Sequence, residues 1–229
     1  MATTFILLTI LVFEFTAVVL LNRLRSDLLF GIITVNLIMI ATFGSQLVSI
    51  LGFVTNIGNV FYVTISLVLY ILIENYGHQI ANRAIWVSFS LIIVFFILTQ
   101  LSINVPSIPE TSTIQSALST IFNVSPRIVL ASLCAFLLAQ QVNLYLYELL
   151  WKLSKGRLLW LRSNISNVVA QFIDSVIFFL VAFAITTPLS QIFGIMIVGF
   201  TTKVLAGLVA TPFLYFALFN QLTYSKKNN

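Results

Sequence analysis

An all-α membrane bundle of about seven transmembrane helices is the fold this sequence predicts, and three observations lead to it. Hydrophobic residues make up 60% of the 229-residue chain, and Phe alone contributes 21. Asp, Glu, Lys and Arg together reach only 7%, where a soluble domain carries about a quarter. The apolar residues also gather into runs close to the ~20 residues that a helix needs to cross hydrocarbon. So few charges cannot cover a water-facing surface, which excludes a soluble enzyme. A nucleic-acid binder is excluded too, because the net charge of +5 comes from few, dispersed basic residues. Disorder has the opposite composition.

The chain reads as one integral membrane domain, residues 1–229, with an extra N-terminal helix over 4–22 and a core of six further runs over 28–220. The run 4–22 lacks a basic start and a small-residue cleavage site, and Glu14 interrupts it, so it is read as a helix rather than a leader. Arg23 to Asp27 separates it from the second run, 28–50. A short and itself apolar turn, Gly52 to Gly58, precedes the third, 59–76. Glu74 to Arg83 separates that run from the fourth, 85–103. The connection Asn104 to Arg127 is long and holds Pro106, Pro109 and Pro126. Within it Ile114, Leu118, Ile121 and Phe122 fall at helical spacing among Ser, Thr and Gln, which predicts a short amphipathic interfacial helix, either a crossover or a lid. The fifth run is 128–151, the sixth 164–187 and the seventh 191–220, divided by Lys152 to Arg162 and by Thr187-Pro188. Cys134 is the single cysteine, so no intramolecular disulfide exists.

The basic residues orient this topology. With the N-terminus outside and the C-terminus inside, Arg23, Arg25, Arg83, Lys152, Lys155, Arg157, Arg162, Lys226 and Lys227 all fall on the inner side. Only Arg127 falls outside, and Lys203 stays within the seventh run. That asymmetry satisfies the positive-inside rule.

Ionisable groups inside hydrocarbon are expensive and mark functional sites by default. Glu14, Gln140, Gln141, Asn143, Gln171, Asp174 and Lys203 lie within a few turns of the proposed midplane, and Glu74 and Arg162 near inner ends. Gln140, Asn143 and Tyr147 share one helical face, as do Gln171, Asp174 and Phe178. An echo links them: Ala139-Gln140 and Asn143 in the fifth run match Ala170-Gln171 and Asp174 in the sixth. Carboxamides with one carboxylate and aromatic walls suit a neutral, planar, nitrogen-rich ring; the simpler alternative is interhelical hydrogen bonding. Lys203 neutralises either Glu14 or Asp174, while Glu14 alone can sit protonated against a neighbouring helix. His78, solitary in an inner turn, reads as solvated. No enzyme motif and no phosphate-cradling loop occurs, so neither catalysis nor a cofactor is expected, and energy must come from a gradient, a partner or trapping of the substrate.

Two stretches resemble the queuosine precursor transporter family, itself similar to vitamin-uptake transporters. The first runs from Gly58-Asn59 through Glu74-Asn75-Tyr76-Gly77 to Ala81, Arg83, Ile85 and Trp86. The second joins Ser125-Pro126-Arg127, Ala131-Ser132, Ala135-Phe136 and Gln140 to Leu159-Trp160-Leu161-Arg162-Ser163-Asn164-Ile165-Ser166. Gln171, Asp174, Phe178, Ala182-Phe183, Lys203 and Thr211-Pro212 complete it, so the resemblance covers about residues 44–219. The chain departs from the family pattern at Tyr70 and Asn143, where the family has Asp, at Ala139 for Ser, and at Gln46 for Lys.

The resemblance implies an importer of a 7-deazaguanine base, queuine or a pre-queuosine base, across the bacterial inner membrane. Asp174 is then expected to accept paired N–H donors of the ring, with Glu74 second. Asn143, Gln140 and Gln171 would address the carbonyl and substituent side, while Tyr70, Tyr145, Tyr147 or Phe178 would stack. Arg162 and Trp160 would anchor or gate the inner end, and Lys203 and Glu14 would pair charge. Expected partners are the small-molecule substrate and the lipid bilayer, with no nucleic acid, and a homo-oligomer or energising partner fits the same reading. Two rivals remain: a substrate-capture subunit that borrows an ATPase, and a membrane scaffold whose polar groups only lock helices.

Overall fold

The computed structural model describes residues 2–44, 46–50, 53–123, 126–183 and 189–225. Eight helices carry almost all of it: α1 (Ala2–Asn22), α2 (Ser26–Phe43), α3 (Gly58–Tyr76), α4 (His78–Ile103), α5 (Ser112–Phe122), α6 (Pro126–Leu153), α7 (Leu159–Phe183) and α8 (Leu189–Ser225). Six are long and apolar enough to cross a membrane, and α2 is a shorter apolar helix beside them. The all-α polytopic bundle expected from the sequence is therefore present. Thr187-Pro188, the expected break before the last span, and Lys226 and Lys227 lie outside the described residues.

The second run departs from expectation. Instead of continuing to residue 50, α2 ends at Phe43, and Leu47–Ile50 forms β1, antiparallel to β2 (Phe53–Asn56), with Leu47 opposite Asn56 and Val48 opposite Thr55. Consecutive β-branched and aliphatic residues on both sides of the turn favour pairing over a continued helix. The hairpin delivers Asn56 to the head of α3, where its Oδ1 accepts the Asn59 amide at 3.1 Å. Asn59 Nδ2 in turn donates to Thr55 Oγ1 at 2.8 Å.

At the other end of α3 only Gly77, at φ 86, separates it from α4, so Arg83 lies inside α4 rather than in a loop. That left-handed backbone favours glycine. The expected interfacial segment forms α5, preceded by a 3-10 turn at Pro109–Thr111. Gln115 ties it down by bonds to Ser107 N, Ile103 O and Val105 O, while Ile114, Leu118 and Ile121 remain exposed. An uncovered apolar stripe on a short helix suits the membrane interface.

The core is α3. Every residue from Gly58 to Leu72 is buried, polar ones included, and α1, α2, α4, α6 and α8 pack around it. By contrast α1, α4 and α8 expose most of their apolar side chains, as lipid-facing helices do. Helices α6 and α7 form a long antiparallel hairpin against α3, so the polar side chains of three helices meet on its surface.

Candidate functional site

Along α3 every fourth residue on one face is polar: Tyr62, Ser66, Tyr70 and Glu74. Four residues advance a helix by about 6 Å, so these groups form rungs on one side of the core. Helix α7 answers rung by rung in the opposite direction, with Asp174 at Tyr62, Ser166 at Tyr70 and Arg162 at Glu74. Helix α6 runs alongside with Phe136, Asn143 and Tyr147.

The rung near the head of α3 is an ion-pair node. Lys203 of α8 donates to Asp174 Oδ2, and Tyr62 OH donates to Asp174 Oδ1 at 3.1 Å. The ammonium also lies 4.5 Å from the Tyr62 ring centroid, a cation–π contact. This fixes the expected partner of Lys203 as Asp174. Glu14 instead accepts from Asn36 Nδ2 of α2 at 3.0 Å. The Asp174 carboxylate expected to receive substrate donors thus has a partner on each of its oxygens.

The opposite rung is a second node. Arg162 donates to Glu74 Oε1 at 2.6 Å and to Tyr147 OH at 3.3 Å, and Tyr147 OH donates to the same Glu74 oxygen at 2.8 Å. The guanidinium reaches further, to the carbonyls of Gly156 at 2.9 Å and Arg157 at 3.2 Å. It therefore ties the α6–α7 loop to the end of α3. Five N–H donors in one plane let an arginine hold a carboxylate and two carbonyls at once.

Between the nodes Tyr70 and Tyr147 stack at 4.8 Å, 16° from parallel. Tyr70 OH donates to Asn143 Oδ1 at 3.0 Å, and Asn143 Nδ2 donates to Gln140 Oε1 at 3.3 Å. Gln171 Nε2 donates to Asn167 Oδ1 at 3.2 Å. Asn167 in turn presses on α8 at Gly207, where an added Cβ would lie 2.2 Å from Asn167 Nδ2.

Of the residues named from sequence, Asp174, Glu74, Asn143, Gln140, Gln171, Tyr70, Arg162 and Lys203 come together around α3. Phe178 does not join them; it sits in an aromatic group with Phe179 and Phe183. The Trp160 side chain is half exposed while its amide donates to Tyr215 OH, and Tyr145 is exposed. Gln141 bonds Asn82 of α4, and His78 is not freely solvated but lies 2.7 Å from Glu148. Sequence reasoning passed over Tyr62, Ser66, Ser166 and Asn167, although the four-residue spacing from Tyr62 to Glu74 was there to be seen.

Residues 56–217 match the family described as "Putative vitamin uptake transporter". The chain belongs to this vitamin uptake transporter family. A curated relative from Bacillus subtilis (strain 168), named "Probable queuosine precursor transporter", is 35% identical over 172 residues, 74% of each chain. No solved structure matches. The matched stretch opens within β2 and takes in α3 to α7 and most of α8, so both nodes of the transporter lie inside it. Glu14, Asn36 and the hairpin strand β1 lie ahead of it. Ionisable residues inside a membrane bundle mark functional sites by default, and here Asp174, Glu74 and Arg162 gather where α3 faces α6 and α7.

Proposed function

We propose that this transporter imports a queuosine precursor, a 7-deazaguanine base such as queuine or a pre-queuosine base, across the bacterial inner membrane, with the N-terminus outside and the C-terminus inside. The name of the Bacillus relative supports the substrate class. The observation that carries the reading is the buried polar face of α3, where Tyr62 bonds the Asp174 carboxylate of α7 and Tyr70 bonds the Asn143 amide of α6, with the rings of Phe136 and Tyr147 alongside. The charges on this face are paired with each other, Asp174 with Lys203 and Glu74 with Arg162, so the site suits a neutral ring.

The two nodes act as the two closures of one pathway. The Arg162–Glu74–Tyr147 node seals the inner end by holding the loop at Gly156 and Arg157. The Asp174–Lys203–Tyr62 node closes the other half. Opening one while the other stays shut gives alternating access at a fixed site.

The scaffold reading has one observation in its favour, the internal pairing of Asp174. Uptake of labelled queuine separates the two. Asp174→Asn alone strands a buried ammonium, so the informative variant is Asp174→Asn with Lys203→Met, which removes both charges. It is expected to keep the amount of folded protein in membranes and to lose uptake. Undiminished uptake by the neutral double variant would overturn the role given to this node.

A further inference from the structure

In the described spanning helices, Glu14 of α1 is the carboxylate left without a basic partner. Asp174 pairs with Lys203, Glu74 with Arg162 and Glu148 with Lys152. Glu14 has one hydrogen bond among the described residues, accepted by Oε2 from Asn36 Nδ2 of α2 at 3.0 Å. Asn36 is buried, its amide also donates to Ile32 O at 3.0 Å, and its Oδ1 has no hydrogen-bond partner. Buried polar atoms are nearly always satisfied, so this acceptor wants a donor. A protonated Glu14 is that donor. A carboxylic acid and a primary amide pair through two bonds, N–H to one acid oxygen and O–H to the amide oxygen, whereas a carboxylate can only accept.

The surroundings bring Glu14 no other charge. It is the one ionisable side chain of α1, and β1 has none. On α3, Tyr62 bonds Asp174, Tyr70 bonds Asn143, Arg162 holds Glu74, and Tyr76 is exposed at the helix end. On α8, Lys203 is held by Asp174 and Tyr215 accepts the Trp160 amide, while Asp27 of α2 pairs with Arg25. Asn75 of α3 bonds Asn22 at 3.3 Å, while Leu7 and Leu11 share a cavity with Asn59 and Val60. Helices α1 and α3 thus run side by side in one direction, and Glu14 falls between the levels of the two nodes. The cavity, about 80 Å³ and also lined by Thr55 and Thr202, has room and polar partners for water. Glu14 follows Leu11 by one turn on the same face of α1, so the cavity lies on its approach from the head of α3.

We infer that Glu14 is the proton-coupling site of this transporter, with Asn36 as the amide that holds its protonated form. This rests on the transport reading above and adds its energy source. A proton from the outer water binds Glu14 Oε1, the neutral acid pairs with Asn36 while the bundle rocks, and the same oxygen returns the proton to the inner water. The carboxylate then makes the return step without substrate. One proton accompanies each neutral ring, so one positive charge enters per cycle. The Asp174 and Glu74 carboxylates serve this less well, because each is already neutralised by a bonded cation. Carboxyl groups within spanning helices are the usual seats of proton relays.

Proteoliposomes containing the full chain alone test this with labelled queuine, the membrane potential being clamped at zero. An outside more acidic than the lumen by one pH unit is expected to drive about tenfold accumulation, since one proton moves with each ring. A protonophore is expected to abolish it. Glu14→Gln keeps an acceptor for Asn36 and cannot titrate; it is expected to retain counterflow between queuine pools and to lose accumulation. Accumulation by Glu14→Gln, or wild-type counterflow with no response to the pH gradient, overturns the coupling site while the transport reading stands. Accumulation driven by a sodium gradient at equal pH overturns the proton. Absence of wild-type counterflow removes the transport reading as well. Should Glu14→Gln fail to fold, dicyclohexylcarbodiimide, which couples to protonated carboxyls in apolar surroundings, decides on the wild-type chain. It is expected to block accumulation and to label Glu14, located by peptide mass; a block with Glu14 unlabelled overturns the assignment.

Discussion

Asp174 and Lys203 sit opposite each other in a bundle that can spare neither alone. Removing one member of a buried ion pair leaves an uncompensated charge, at a cost of about 3–5 kcal/mol. Lys203→Met is therefore expected to destabilise by about that much, and Asp174→Asn added to it to recover most of the loss. Unfolding midpoints of the two single variants and the double, arranged as a cycle, check this; additive losses would contradict the pairing. A steric prediction belongs to the same scale. Gly207→Ala brings a methyl against Asn167 Nδ2 and is expected to cost about 1–3 kcal/mol. Asn167→Ala is expected to relieve it, measured by the same midpoints. That Asp174 needs a polar partner inside the bundle was legible in the sequence, because a carboxylate in an apolar run is costly to bury alone. Its partner was not, since spacing along the chain does not tell whether α8 faces α7 or α1. Tyr62 escaped notice because a tyrosine among Val, Phe and Ile reads as packing until its four-residue register with Ser66, Tyr70 and Glu74 is followed.

Among elements, the apolar runs gave six long helices to within several residues at most ends, with Gly77 at the junction of α3 and α4 and Pro126 at the start of α6. The run 28–50 was misjudged at its end, because hydrophobic periodicity cannot tell a short apolar strand from a continuing helix. Helix α3 carries the polar cluster because its faces are covered, and Tyr62, Tyr70 and Glu74 of the stripe each find a partner on α6 or α7. The Ala-Gln echo on α6 and α7 was visible in the sequence, and the packing of the two helices against each other gives it a physical setting. One consequence falls on the stack between α3 and α6. Tyr70→Phe keeps the ring against Tyr147 but removes the donor to Asn143. A buried acceptor left unsatisfied costs about 1–3 kcal/mol. The variant is expected to lose stability in that range and also to weaken ligand binding, because Asn143 then no longer fixes Gln140. Lost stability with unaltered ligand affinity would separate the stack from recognition.

For the whole molecule, the proposed orientation places the α6–α7 loop, with Lys155, Gly156 and Arg157, on the inner side and α5 on the outer. In a chain with Cys134→Ala, a cysteine introduced at Ser116 of α5 is expected to react with a membrane-impermeant maleimide in intact cells. One introduced at Lys155 is expected to react only after the membrane is opened; the reverse pattern would invert the topology. Charge scarcity is what lets the sequence propose this orientation, since nine of the eleven basic residues fall on its inner side. What the composition could not give is how transport is powered, because a helix bundle without a nucleotide site serves equally as a carrier and as a capture subunit. Counterflow in proteoliposomes containing this chain alone meets the central claim most directly. Vesicles preloaded with unlabelled queuine are predicted to accumulate external labelled queuine transiently, with guanine-loaded vesicles doing so more weakly and the Asp174→Asn, Lys203→Met chain not at all. No accumulation above protein-free vesicles by the folded wild-type chain would contradict the account.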